Sequence, residues 1–340
     1  SMIVKELLQT DHLVNVNRVL IRVISTTLII ESVGAFILYI YWGNESSNIF
    51  EAVFFAVSAF CNAGFSLYSD SFMTVHSDFF SLFLISLLII LGGLGMGTLS
   101  EIRHYFFASS TERKIFRFSI GSKFVLNGTW ILLGVGTLLF FISEYSASMA
   151  SYGVLEKVKH SFFQSVVSRT AGFNSVDFSQ LIIPTTFWYI AFMFIGGASG
   201  STAGGVKVNT VSVMFVWLKT ILLRRKTCVV YGRTLAVNSF HQSILVFFGA
   251  IAIAFIMILI LSITEKFLLV DIMFEVFSAI ATVGVSKGIT PHLTAIGKCV
   301  IIVTMLIGRI GIISFALSLV QDTQSYEHRV TYPEEGVSVG

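Results

Sequence analysis

The sequence predicts an all-α integral membrane protein assembled from repeated helix–loop–helix units. Three observations carry the prediction. Apolar residues make up 55% of the 340 and charged residues 12%, with 33 Phe, a balance foreign to soluble domains. Several apolar runs approach the roughly 20 residues that a membrane-crossing helix needs. A glycine turn recurs after a short apolar run, at Gly64, Gly172 and Gly284, spaced 108 and 112 residues apart. A lone glycine in an apolar segment signifies little, but the same context at a nearly constant period marks one unit repeated.

Residues 1–20 read as a polar lead-in without a signal-peptide pattern. The first visible repeat covers 21–101. Its leading span runs from Arg22 to Trp42 and holds Glu31, an acid that is costly in lipid unless paired or facing a wet interior; helix-to-helix packing is the preferred role. A polar outer loop, Asn44 to Asn48, precedes a short helix over Phe50–Phe60 and the turn Asn62, Ala63, Gly64, Phe65. The closing span, Phe79 to Leu99, ends in Gly92-Gly93-Leu94-Gly95-Met96-Gly97. Small residues at this density let helices approach closely, so packing is expected there, with a hinge as the alternative.

The second repeat covers 122–223, with a leading span Phe124–Ile142, a short run Ser161–Val167 and the turn Thr170, Ala171, Gly172, Phe173. Its closing segment is apolar over Ile182–Ile195 and again over Val206–Leu223. Between them lie Gly196, Gly197, Ala198, Ser199, Gly200, Ser201, Thr202, Ala203, Gly204 and Gly205. Each glycine costs a helix about 1 kcal/mol relative to alanine, so the helix must break. Unwound backbone at membrane depth survives only against protein or in a wet cavity. Gly200 to Lys207 is no phosphate-binding loop, because Val206 separates the glycine from the lysine and Val208 follows it. The third repeat covers 242–320: a span Ser243–Ile263, a short helix Leu268–Ile280, the turn Thr282, Val283, Gly284, Val285, and a last span Leu293–Val320 containing Arg309. An arginine so placed must face a cavity, an acid or backbone carbonyls. Residues 321–340 form a polar tail.

Arg103, Arg113, Lys114, Arg117 and Lys123 crowd one loop, and Arg224, Arg225, Lys226 and Arg233 another. The positive-inside rule puts both loops and both ends in the cytoplasm. The three turns then open outward. A run as short as Ser161–Val167 enters the bilayer and returns, and the glycine lets the turn aim its carbonyls inward. With the partly negative C-terminal ends of three short helices pointed at them, such carbonyls can replace the water around a cation, which makes the centre of the repeats a cation pore. Net charge is only +3, and Cys61, Cys228 and Cys299 are too scattered for a disulfide framework or a zinc site. No span carries a His-Glu-x-x-His pattern or paired aspartates, so no enzyme is expected. A non-transporting membrane scaffold would have no use for three re-entrant turns.

The stretches Arg169-Thr170-Ala171-Gly172-Phe173-Asn174-Ser175-Val176-Asp177, Gly196 to Gly205, and Gly308-Arg309-Ile310-Gly311 resemble the Trk/Ktr/HKT superfamily of potassium transporters, most nearly the bacterial KtrB-type subunit. The resemblance covers essentially the whole chain. It implies four repeats around one pore, each lending a filter glycine. Counting back one period from Gly64 lands about 45 residues before Ser1, so the first repeat is expected to be missing from this chain, while the tail, with Tyr332-Pro333-Glu334-Glu335, matches the family's C-terminal end. It further implies potassium held at the filter carbonyls and a gate made of the 196–205 loop and Arg309. It implies a homodimer in the plasma (bacterial inner) membrane, on cytoplasmic RCK-type (KtrA/TrkA-like) regulatory subunits that bind ATP or ADP. Single-glycine filters carry fewer carbonyl layers than potassium channels do, so sodium or mixed transport is the alternative.

Overall fold

The computed structural model describes residues 16–43 and 49–311. Most of the lead-in, the outer loop 44–48, residues 312–320 of the expected last span and the tail lie outside the described residues. Three units follow one another. The first is α1 (Val16–Trp42), α2 (Ile49–Phe60) and α3 (Phe79–Gly93), linked onward by α4 (Gly95–Phe107) and α5 (Ser110–Ile115). The second is α6 (Ile120–Glu144), α7 (Val154–Val167), α8 (Ile183–Phe194) and α9 (Val208–Leu222). A two-stranded hairpin, β1 (Val229–Val230) and β2 (Arg233–Thr234), pairs Val229 with Thr234. It leads to the third unit, α10 (Val237–Thr264), α11 (Leu269–Ile280) and α12 (Ala295–Ile310). Among the described residues α1, α6 and α10 contain stretches long and apolar enough to cross a membrane.

Side-chain caps explain several starts. Asp78 accepts the Ser81 N–H at α3, Ser119 that of Ser122 at α6, and Thr294 that of Gly297 at α12. At α5, Ser109 and Glu112 bond each other's backbone N–H groups, and the Ser109 bonds hold the Glu112 carboxyl below its usual range.

Three elements differ from the sequence expectation. α7 begins at Val154, a full turn and more before the apolar run. Its polar first turns find local partners: Glu156 accepts the Gly153 N–H, and the Lys157 ammonium donates to the Tyr145 carbonyl at 2.7 Å while lying over that ring. The closing span of the first unit does not run straight to Leu99. It turns by 103° between α3 and α4, with Gly95 in the left-handed region at φ +76°, so the span is bent at the glycine-rich stretch. The expected close packing is there, since a Cβ on Gly92 would overlap the Phe60 carbonyl oxygen. Finally, α12 ends at Ile310, where Gly311 takes φ +92°. Arg309 thus stands at the end of a helix rather than inside one.

The units mesh by one rule. α3, closing the first unit, packs on α7, the short helix of the second, and α8 packs on α11 of the third. The core between them is aromatic: Phe72 lies 4.9 Å from Phe55 and 5.2 Å from Phe173, and Tyr189 packs on Phe178 and Phe274.

Candidate functional site

The three glycine turns converge on one point. Gly64, Gly172 and Gly284 take φ +70°, +83° and +96°. Two residues before each stands a non-glycine in the same left-handed region: Asn62 at +49°, Thr170 at +72° and Thr282 at +53°. In the first and third turns, the helix end closes by a bond from Ala63 N to Ser58 O (2.9 Å) and from Val283 N to Ser278 O (2.8 Å), the Schellman pattern. The middle turn uses Ala171 N to Val167 O at 3.1 Å instead. A Cβ built on Gly64 would lie 2.5 Å from the Ala171 oxygen, and one on Gly172 2.6 Å from the Val283 oxygen. Backbones this close leave room only for glycine. Gly172 neighbours both other glycines, whereas among the described residues a Cβ on Gly284 would meet Gly172 alone. Among the described residues the arc is open between Gly284 and Gly64.

Side chains missed in the sequence brace the turns. The Ser58 hydroxyl donates to the Phe65 carbonyl at 2.8 Å, and the Ser278 hydroxyl to the Val285 carbonyl at 2.6 Å while accepting the Gly284 N–H. Both serines stand six residues before their glycine, a register that superposing the repeats would have shown; Val166 occupies the place in the middle unit. The middle turn is held from beyond the glycine. Ser175 bonds His160 and Gln164, and Asn174 exchanges backbone and hydroxyl bonds with Ser71 and Phe72. Phe173 is buried in the aromatic core, Val285 is buried too, and Phe65 is exposed. Behind the first turn the Cys61 thiol donates to Glu31 at 3.5 Å, which places Glu31 against a helix neighbour. Arg169, three residues before Gly172, is buried, and its Nε and Nη2 have no hydrogen-bond partner among the described residues.

The glycine-rich loop lies under the bases of two turns. Its neck is closed by Gly196 N to Val206 O, Val206 N to Phe194 O and Val208 N to Gly197 O, at 2.9–3.1 Å. Towards the first unit, Ala198 N donates to Gly93 O, Met96 N to Gly200 O, and the Thr202 hydroxyl to Phe60 O, the last carbonyl of α2. Towards the third unit, a Cβ on Gly204 would overlap the Thr282 hydroxyl and lie 2.7 Å from the Ala281 oxygen. Two cations grip successive carbonyls of the loop: Arg309 Nη1 donates to Thr202 O at 2.9 Å and Lys207 Nζ to Ala203 O at 2.5 Å. Lys207 was seen in the sequence only as part of a rejected phosphate loop. Ser199, Ser201, Gly205, Lys207 and Arg309 line a cavity of about 820 Å³ beside the loop. Among the described residues no cluster of His, Cys, Asp and Glu has metal-binding geometry.

Known proteins resemble this chain in sequence and fold. The model of the TrkH cation transport protein family matches residues 4–328. The chain is 34% identical to the potassium/sodium uptake protein NtpJ of Enterococcus hirae, over 99% of this chain and 75% of that protein. It is 37% identical to the Ktr system potassium uptake protein B of Bacillus subtilis (87% of this chain, 64% of that protein) and to that of Vibrio alginolyticus (99% and 73%). It thus spans about two thirds to three quarters of these relatives' lengths. The crystal structure of the potassium transporter TrkH from Vibrio parahaemolyticus superposes with a TM-score of 0.76 at 17% identity, over 94% of this chain and 68% of that one, which shows the fold. The chain belongs to the TrkH family of cation transport proteins, integral membrane transporters and not enzymes.

Proposed function

We propose that this chain forms most of the wall of a potassium-uptake pore in the plasma membrane. The observation that carries the reading is the convergence of Gly64, Gly172 and Gly284, each with the same left-handed pair of residues, directly next to a broken helix. Carbonyls of residues 62–65, 170–173 and 282–285 strip water from the ion and coordinate it. The ends of α2, α7 and α11 add their negative helix ends. The 196–205 loop obstructs the path on the other side of the filter. Arg309 latches it through the Thr202 carbonyl and repels a cation in a constriction of low dielectric.

The open side of the arc supports a fourth repeat. By the packing rule, α12 would receive another short helix, and α2 another closing helix. Ile302, Val303, Met305 and Leu306 on α12, and Val53 and Val57 on α2, are the exposed faces where they would sit. Pairing of two such pores, and a cytoplasmic ring of RCK-type regulatory subunits holding ATP or ADP, complete the reading; this rests on the family resemblance alone. A second reading, sodium carried with potassium, is favoured by the name of the Enterococcus relative and by one-glycine filters.

Isotope flux into proteoliposomes holding the full-length protein tests both. Potassium uptake blocked by excess potassium and little affected by sodium is expected. Equal competition by the two ions supports the second reading, and no cation flux at all overturns both.

A further inference from the structure

The linker between the first two units carries a surface that the pore does not use. α4 leaves the gate region and returns through α5 to the start of α6. Glu101, midway along α4, accepts the Ser119 N–H at 3.0 Å, so the second half of α4 lies level with the residue that caps the α6 span. The linker is a built structure. Tyr105, Phe116 and Phe118 pack with centroids 5.2–6.2 Å apart, and His104 stacks on Phe116 at 5.0 Å. The Arg113 guanidinium donates to the Phe106 carbonyl and lies over the Tyr105 ring. This folding turns Phe106, Phe107 and Ile115 outward, with relative exposures of 66%, 87% and 77%.

Outward apolar residues alone mean little in a membrane protein, since lipid tails cover them. Their neighbours are what decides here. Arg103, Lys114 and Arg117 are exposed beside them, and no acid pairs with any of the three among the described residues. The acids of the segment are already engaged, Glu101 by Ser119 and Glu112 by Ser109. Aromatic rings beside unpaired cations, at the level where a span begins, are the pattern of a membrane interface. Cations there attract anionic headgroups, each adding on the order of fivefold in affinity.

We propose that Arg103, Lys114 and Arg117, with Phe106, Phe107 and Ile115, form a binding surface for an anionic phospholipid of the cytoplasmic leaflet. The cations take the phosphate and the three apolar side chains reach into the acyl boundary. The other end of α4 bonds the gate loop through Met96 N and Gly200 O, so bound lipid also steadies the bend beside that loop.

The test counts lipid bound to the full-length protein in detergent by native mass spectrometry, titrated with phosphatidylglycerol or phosphatidylcholine. Phosphatidylglycerol should bind more tightly. The triple change Arg103→Gln, Lys114→Gln, Arg117→Gln should weaken one phosphatidylglycerol site by roughly 100-fold, three cations at the factor above, and leave phosphatidylcholine unaffected. The variant Arg103→Lys, Arg117→Lys keeps the charges and should retain the site, which separates loss of charge from loss of fold. Equal binding of the two lipids by the parent protein would overturn the proposal, as would unchanged phosphatidylglycerol binding by the triple variant. So would a parent indifferent to phosphatidylglycerol whose surface instead holds a soluble acidic protein through the same three cations.

Discussion

At Gly172 a serine side chain would point at the Val283 carbonyl, 2.6 Å from where its Cβ must lie, in a backbone region at φ +83°. The left-handed conformation alone costs a non-glycine about 1–2 kcal/mol, and the neighbouring turn at Val283 must also yield. Gly172→Ser in the full-length protein should therefore weaken potassium uptake affinity by about tenfold or more and reduce discrimination against sodium; unchanged kinetics for both ions would remove Gly172 from the filter. The serine braces give a milder test. Removing a hydroxyl that holds a carbonyl costs about 0.5–1.5 kcal/mol, so Ser58→Ala and Ser278→Ala should each shift the potassium-to-sodium preference severalfold while the protein stays folded. If either leaves selectivity untouched in competition flux, that carbonyl does not depend on its brace.

Among the elements, the loop between α8 and α9 meets all three units. If it is a mobile plug, excising Ser201 to Ala203 should raise flux at constant selectivity, and Arg309→Ala should raise it too. Because Arg309 bonds the Thr202 carbonyl, the two changes act on one latch. The double variant should give less than the product of the single effects, as contacting sites do. Liposome flux corrected for inserted protein decides, and transport abolished in a well-folded loop deletion would make the stretch structural support. The crossing of α2 and α3 is fixed by close packing at Gly92, where a methyl group would strike the Phe60 carbonyl. Gly92→Ala should lower stability by about 1–3 kcal/mol, the usual range for overpacking, seen as a lower melting temperature in detergent. A melting temperature equal to the parent's would mean that α2 and α3 can separate without loss.

On the scale of the whole molecule, if the three turns form the proposed filter, the arc left open between Gly284 and Gly64 among the described residues would turn filter backbone toward lipid, where each unsatisfied polar group costs several kcal/mol. Residues 1–340 alone should support no potassium uptake in transport-deficient cells, whereas the same chain preceded by a fourth repeat should. Growth of such cells on limiting potassium reads the difference, and robust uptake by residues 1–340 would end the four-wall pore.

Periodicity and composition by themselves determined the class of protein, the three units and the positions of Gly64, Gly172 and Gly284. Those features are local: a glycine turn after a short apolar run has the same meaning wherever its neighbours lie. The break at 196–205 was legible for the same reason, since five glycines in ten residues cannot hold a helix. Only the tertiary structure decided what touches what. The start of α7 was hidden because Lys157 and Glu156 look like loop until Tyr145 and Gly153 satisfy them. The 103° turn at Gly95 was hidden because a glycine-rich stretch reads as close packing of a straight span whether or not the span bends there. Lys207 and Arg309 are 102 positions apart in the chain, and nothing local says that they grip adjacent carbonyls of one loop. Bonds of that kind depend on the meeting of two units in space, which sequence spacing does not record.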